Sequence, residues 1–161
     1  MSYFNADGAY VLTGTDQGAI RPNGVSEDAI LRTMVIDIDF TQIPAAVTAA
    51  NINPMDATLP ANSVIQSAYL FMSTAAASGG AATLDIGTYN AAGTAVAATG
   101  IVAAAALSTV NTAGAVLRAA GALTTTASTG AAPVYVVPKY GTAAYTAGAG
   151  KLYINYVVTG V

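Results

Sequence analysis

Residues 59–90 read LPANSVIQSAYLFMSTAAASGGAATLDIGTYN, and this stretch indicates the fold class of the chain. An apolar run at 63–74 is followed by a turn at Ser78-Gly79-Gly80 and by a second run at 82–89. In the second run, Leu84 and Ile86 alternate with polar neighbours, as in a β-strand. The spacing predicts a β-hairpin-like pair of strands.

The first of these runs is apolar on both of its predicted faces. One face carries Val64, Leu70 and Met72, and the other carries Ile65, Tyr69 and Phe71. An antiparallel strand with one face in water normally alternates between apolar and polar residues. We therefore expect this strand to be central to a sandwich or covered by another subunit, with Tyr69 and Phe71 as candidate interface residues.

Further strands are predicted on both sides of this segment. Residues 31–40, LRTMVIDIDF, alternate so that Met34, Ile36, Ile38 and Phe40 share the buried face. The Pro-rich stretch 41–60 predicts a crossover between sheets, and residues 94–110 remain ambiguous, with strand favoured at 101–109 and helix open for 103–107. Short strands are predicted at 115–118 and 122–126, and a closing hairpin at 133–140 and 151–159.

Together these runs predict an all-β antiparallel β-sandwich of jelly-roll type. A proline at Pro138 predicts an edge or a bulge in the first strand of the closing hairpin, because proline cannot donate a backbone hydrogen bond.

Composition points to association rather than to catalysis. Only 8% of the 161 residues are charged and 54% are hydrophobic, whereas ordinary domains have about 25% charged residues. The longest apolar run, 101–107, is far shorter than the roughly 20 residues of a membrane span. We therefore expect no membrane partner, and we expect subunit interfaces to bury the excess apolar surface.

The few basic residues are scattered along a chain whose net charge is −3, which argues against nucleic acid as a partner. Residues 1–28 lack a regular period and are interpreted as an extended arm, followed by one sandwich domain at 29–161. Tyr3, Phe4 and Tyr10 are candidate anchors, and Arg21 lies in a predicted turn. The arm either packs on its own domain or docks on a neighbouring subunit. No secretory signal is expected at this N-terminus.

No catalytic, cofactor or metal site is predicted. The chain has no histidine and no cysteine, which removes most nucleophiles, general bases and zinc ligands. Asp37 and Asp39 form the best carboxylate pair, but two carboxylates on a strand are too few for calcium and are most simply a solvated strand face. Five tyrosines of the closing hairpin could instead line a sugar-binding face: Tyr135, Tyr140, Tyr145, Tyr153 and Tyr156.

Three segments resemble small structural proteins of tailed bacteriophages: LPANSVIQSAYLFMSTA, GGAATLDIGTYNAAGTAV and PVYVVPKYGTAAYTAGAGKLYINYVV. The resemblance covers about residues 59–96 and 133–158. It implies a capsid decoration (cement) protein with a β-sandwich or jelly-roll domain, often a homotrimer, that is seated between major capsid proteins on the outer shell.

The leading interpretation is therefore a non-enzymatic virion protein that is made in the host bacterial cytoplasm and stabilises a phage capsid by bridging major capsid proteins. On that interpretation Tyr3, Phe4, Tyr10, Arg21, Tyr69 and Phe71 are candidate capsid or subunit contacts. The alternative is a receptor- or glycan-binding module of a phage head or tail fibre. An ice-binding surface is disfavoured because the threonines have no regular repeat.

Overall fold

The computed structural model of the protein describes residues 2–4, 10–12, 31–52, 57–124 and 127–159. These residues form the strands β1 (Ser2–Phe4), β2 (Tyr10–Leu12), β3 (Arg32–Asp39), β4 (Thr58–Leu59), β5 (Ser63–Ser78), β6 (Thr83–Tyr89), β7 (Ala95–Ala106), β8 (Val116–Arg118), β9 (Val134–Gly141) and β10 (Tyr145–Val158). The helical segments in the described residues are single 3-10 turns at Phe40–Gln42, Ala49–Asn51, Leu107–Thr109 and Ala122–Thr124.

Two antiparallel four-stranded sheets pack face to face and confirm the predicted β-sandwich. The first sheet has the order β3-β10-β5-β8, and the second has the order β4-β9-β6-β7. If the strands β3 to β10 are renumbered 1 to 8, the two orders become 1-8-3-6 and 2-7-4-5. These orders agree with the eight-strand, two-sheet arrangement of a jelly roll. The jelly-roll assignment itself stays a prediction. The strands β1 and β2 pair only with each other.

The core lies between the two sheets and is built from alternate residues of their strands. Its fully enclosed side chains come from both sheets: Leu70, Met72, Leu152 and Ile154 from the first, and Leu59, Leu84, Ile86 and Ile101 from the second. Burying one such side chain contributes roughly 1.5–3 kcal/mol. The alternation predicted for β3 is confirmed, because Ile38 is buried while Asp37 and Asp39 are exposed.

Both predicted hairpins are wrong in their pairing, although the strands themselves are present. β5 pairs with β10 and β8, whereas β6 pairs with β7 and β9, so the turn at 79–80 carries the chain from one sheet to the other. β9 and β10 likewise lie in different sheets. β6 forms a hairpin with β7, the next strand, whereas β5, β9 and β10 pair with strands distant in sequence, which local spacing does not report.

The predicted faces of β5 are correct from Ala68 onward and wrong before it. Ser67 lies opposite Asn155, but Ile65 lies opposite Tyr156, so β5 carries one extra residue at Gln66. This bulge reverses the alternation, and Ile65 therefore enters the core on the same side as Leu70.

Two weaker predictions are also decided by the structure. Residues 95–106 form strand β7, so residues 103–106 are strand and not helix, and a 3-10 turn begins at Leu107. The strand predicted at 122–126 is wrong, because Ala122–Thr124 is a 3-10 turn.

The edge or bulge predicted at Pro138 is wrong, because β9 lies between β4 and β6 and keeps one unbroken register with β6, but Pro138 lies beyond the two residues that pair with β4. The neighbouring outward-directed amides of this strand bond to the crossover segment: Val136 N donates to Ala57 O at 2.9 Å and Tyr140 N donates to Pro44 O at 3.0 Å. Pro138 is two residues from both Val136 and Tyr140, so its nitrogen also faces the crossover segment and not β6. The missing N–H therefore removes no hydrogen bond to β6.

Candidate interaction surface

The outward side of the first sheet carries two rows of side chains, which together are called the open face. In one row Tyr153 lies opposite both Val35 and Tyr69, and Tyr69 lies opposite Arg118. In the next row Lys151 lies opposite both Asp37 and Phe71, and Phe71 lies opposite Val116. The open face is therefore the set Val35, Asp37, Tyr69, Phe71, Val116, Arg118, Lys151 and Tyr153.

The centre of the open face is aromatic and its apolar members are accessible. The rings of Tyr69 and Tyr153 stack with centroids 4.9 Å apart and planes 12° from parallel. Phe71 is 38% exposed, Val35 51% and Val116 55%. Contiguous exposed apolar groups with a polar surround are typical of protein interaction sites.

Charged and polar groups surround this aromatic centre. The Lys151 ammonium donates to the Asp37 carboxylate, and this hydrogen bond raises the pKa of Lys151 above its ordinary value. Thr33 Oγ1 donates to Asn155 Oδ1 at 2.7 Å, and Asn155 Nδ2 donates to Ser67 Oγ at 3.0 Å. These cross-strand bonds hold polar side chains of the three long strands in one geometry, so the surface is largely pre-organised.

The structure brings together two of the predicted interface residues, Tyr69 and Phe71, which lie in neighbouring rows of the open face. Tyr3 and Phe4 lie in β1, and Phe4 is opposite Tyr10 of β2. Their role as interface residues stays a prediction, as does the assignment of residues 1–28 as an arm. Arg21 lies outside the described residues.

On the open face, sequence reasoning named only Tyr69 and Phe71 as interface residues and missed the other six members: Val35, Asp37, Val116, Arg118, Lys151 and Tyr153. A signal was present for Val35, because it is the apolar residue on the otherwise polar face of β3. Tyr153 was assigned to a cluster of tyrosines that the structure separates. Tyr145 and Tyr156 are buried in the core, so the predicted sugar-binding row of five tyrosines does not share one surface.

On the second sheet the polar groups are enclosed. Asp85 is 8% exposed, accepts from Ala104 N at 2.7 Å and pairs with Lys139 at 2.9 Å. The hydrogen bond to Asp85 raises the pKa of Lys139. Burial raises the pKa of Tyr89, and burial together with the nearby Asp85 charge raises that of Tyr145 to about 12. These lysine and tyrosine pKa values lie far above neutrality, so these groups stay protonated at pH 7 and are poorly suited to general-base catalysis.

The carboxylates of β3 are engaged locally. Asp37 pairs with Lys151, and Asp39 Oδ1 accepts from Thr41 N at 2.9 Å and from Thr41 Oγ1 at 2.7 Å. In the described part of the chain no three acidic or metal-ligating side chains cluster as a metal site would require. Within the described ranges no helix has the length and apolar character needed to span a membrane.

Comparison with solved structures gives a likeness in fold to a phage capsid chain. The chain is similar to a chain from the capsid of Ralstonia phage GP4, with 25% identity, a TM-score of 0.55, and coverage of 88% of this chain and 93% of that chain. It is also similar to a chain of the cyanophage Pam1 capsid asymmetric unit, with 18% identity, a TM-score of 0.46, and coverage of 91% and 98%. No protein-family model and no curated protein matches the chain. The fold is thus that of a phage capsid-related protein.

Proposed function

We propose that the protein is a non-enzymatic virion structural protein that decorates a phage capsid and stabilises it by bridging major capsid proteins. The observation that carries this proposal is the open face, an aromatic-centred surface that the described part of the chain leaves uncovered. The fold likeness to the GP4 capsid chain supports the virion setting.

Bridging requires many weak contacts that act together. A four-stranded face about 19 Å wide and five residues long covers only roughly 300 Å², well below the ~800 Å² per partner of a stable pairwise interface. Many copies on one shell would add such contacts, and a protein that binds only the assembled shell stabilises it by mass action. Four points remain predictions within this proposal: placement on the outer surface of the capsid, a homotrimeric state, synthesis in the bacterial cytoplasm, and docking of residues 1–28.

Co-sedimentation with capsids assembled from the phage's own major capsid protein tests the role of the open face. The variant Tyr69→Ser with Phe71→Ser removes the aromatic centre, and we expect it to bind capsids at least about tenfold more weakly than the wild-type chain. The matched control is Val96→Ser, because Val96 is also an exposed residue, at 52%, but lies on β7 of the second sheet.

Equal binding by the double variant and the wild-type chain would remove the open face from the proposal. A wild-type chain that does not bind capsids at all would overturn the decoration function. Deleting residues 1–18 tests the arm separately, since wild-type affinity of the truncated chain would exclude the arm as a capsid contact.

A further inference from the structure

The edge of the first sheet formed by β3 differs from the other three sheet edges. β8 has three residues and β4 has two, so neither offers a long unpaired strand. β7 is long but has several register shifts, and Gly121 N covers part of it by donating to Ile101 O at 2.9 Å. These are the usual ways in which proteins protect a sheet edge from pairing with another chain.

β3 has none of these protections. It has eight residues, contains no proline, and pairs with β10 over its whole length in one unbroken register. None of the backbone hydrogen bonds of the described residues joins its outer side. A long, regular and unpaired edge strand is a template for the addition of another strand.

The direction of the backbone groups of β3 follows from the strands beside it. Met72 N donates to Ala115 O and Ala119 N donates to Ala68 O, both at 2.9 Å, so even-numbered residues of this part of β5 face β8. In an antiparallel pair, successive residues face alternate sides. The odd-numbered residues of β5 therefore face β10, and in this region their odd-numbered partners on β10 face back toward β5.

It follows that even-numbered residues of β10 bond to β3. Leu152 lies opposite Ile36 and Ile154 lies opposite Met34, so these are the bonded pairs. Thr33, Val35 and Asp37 then direct their amide and carbonyl groups outward, into the unpaired edge.

A cleft lies beside this edge and limits which side chains an added strand can carry. The cleft has a volume of about 500 Å³ and lies between β3 and β9, with Ile36, Ile52, Val136 and Pro138 among its lining residues. A strand added to β3 would direct alternate side chains toward this cleft, where the apolar residues Ile36, Ile52 and Val136 are within reach, and the others toward the open face. The required pattern is apolar at one set of positions and polar at the other, which is the pattern of β3 itself.

We propose that β3 pairs antiparallel with β3 of a second copy of this chain across a two-fold axis at Val35. Val35 then lies opposite its own counterpart, and Thr33 lies opposite Asp37 of the second copy. Outward groups at three positions on each strand supply about six main-chain hydrogen bonds. Each Asp37 then lies opposite the uncharged Thr33, whereas a two-fold axis at Asp37 would set two carboxylates against each other.

Pairing with a second copy would also bury apolar side chains that stay partly exposed in a single copy. Met34 and Ile36 point toward the interior but are only half-buried, and Ile36 lines the cleft. In the paired register Ile36 lies opposite Met34 of the second copy, so both become more enclosed. The two first sheets join into one eight-stranded sheet with a continuous open face.

Single-cysteine variants test this contact in solution, without capsids, so the result is independent of the proposed decoration function. The chain has no cysteine of its own. Directly opposed residues of a hydrogen-bonded antiparallel pair have Cα atoms about 5.5 Å apart, within the range for a disulfide. We expect Val35→Cys to form a covalent dimer on mild oxidation at micromolar concentration.

The control is Val116→Cys, at a site with similar exposure on the opposite edge of the same face. At least about fivefold more dimer from Val35→Cys than from Val116→Cys is the expected result, since disulfide formation requires close Cα approach. Equal yields from the two variants, or no dimer from Val35→Cys, would overturn the proposal.

A second variant tests the same contact without oxidation. Val35→Pro removes an outward amide and no bond to β10, so the sheet should stay folded. We expect the wild-type chain to have twice the native mass of Val35→Pro, whether that variant is a monomer or the homotrimer of the proposed function, and the two to have the same circular dichroism spectrum. A monomeric wild-type chain at about 100 µM, a concentration at which a micromolar dimer would be mostly formed, contradicts the proposal.

Discussion

Strands β5 and β6 make an instructive comparison, because β5 is apolar on both faces in the sequence and β6 alternates with polar residues, yet it is β6 that is covered on both sides. All residues of β6 after Thr83 are buried, including Asp85 and Gly87 on the side away from the core. In β5 the corresponding side shows Phe71, which is 38% exposed, and a half-buried Tyr69. The sequence pattern of a strand therefore does not by itself show which of its sides the chain covers.

The cover over β6 is supplied by the chain itself. Between Ile86 and Thr88 the strand advances two residues, whereas its partner β7 advances five, from Ala97 to Val102. The additional residues pass over Gly87, where a Cβ atom would lie 2.3 Å from Ala98 O. No equivalent segment of the described chain covers β5. Its uncovered side is thus the surface that a partner can complete.

The largest expected effect on stability is at Gly87, on the covered side of β6. Gly87→Ala places a methyl group against backbone atoms of Ala97 and Ala98, which cannot move without displacing β7. We expect the free energy of unfolding, measured by chemical denaturation, to fall by roughly 2–4 kcal/mol. The control is Gly79→Ala in the exposed turn, where a Cβ would meet nothing within 4 Å. A similar loss for both variants would show that the close cover of β6 is not what limits this site.

An intermediate effect is expected at high pH from Tyr145, a core tyrosine whose hydroxyl has no hydrogen-bond partner among the described residues. Its pKa is raised from 10.0 to about 12, mainly by burial, so the folded state holds this proton more tightly than the unfolded chain does. The corresponding stability is present below pH 10 and is lost as the pH rises toward about 12.

Tyr145→Phe removes this loss and keeps the edge-to-face contact with Phe40, whose ring centroid is 4.9 Å away. The stability of the variant relative to the wild-type chain should increase by roughly 2–3 kcal/mol between pH 9 and pH 12. At pH 7 the difference should be within about 1 kcal/mol, because an unpartnered hydroxyl is removed. Urea titrations at several pH values measure both quantities, with Tyr153→Phe on the open face as control. Parallel pH curves for Tyr145→Phe and the wild-type chain would contradict this prediction.

The smallest effect on stability is expected on the open face. Phe71→Ser removes a ring that the chain leaves 38% exposed, so thermal unfolding should show a loss of no more than about 1 kcal/mol. Its effect should appear in association instead. A loss above about 3 kcal/mol, as for a core phenylalanine, would mean that this side of β5 is part of the core.

The strands and their exposed sides could largely be predicted from the sequence, with identifiable exceptions. Alternation located β3 and placed Asp37 outward, because a half-buried strand reports its own period. The bulge at Gln66 could not be predicted in this way, since it is defined by an extra residue relative to β10. Tyr69 and Phe71 were found because their strand lacked a polar face, but Val116 and Arg118 lie on a three-residue strand too short to show any pattern.

The amino-acid sequence by itself determined that this protein is all-β, that it has few charges, and that the strand carrying Tyr69 and Phe71 is apolar on both faces. Only the tertiary structure decided which strands pair, because pairing is set by contacts between residues far apart in the chain. The same long-range contacts cover β6 with β7 and leave β5 and the edge of β3 open. A local pattern reports how a strand distributes its apolar groups, and the global packing decides whether the chain or a neighbour buries them.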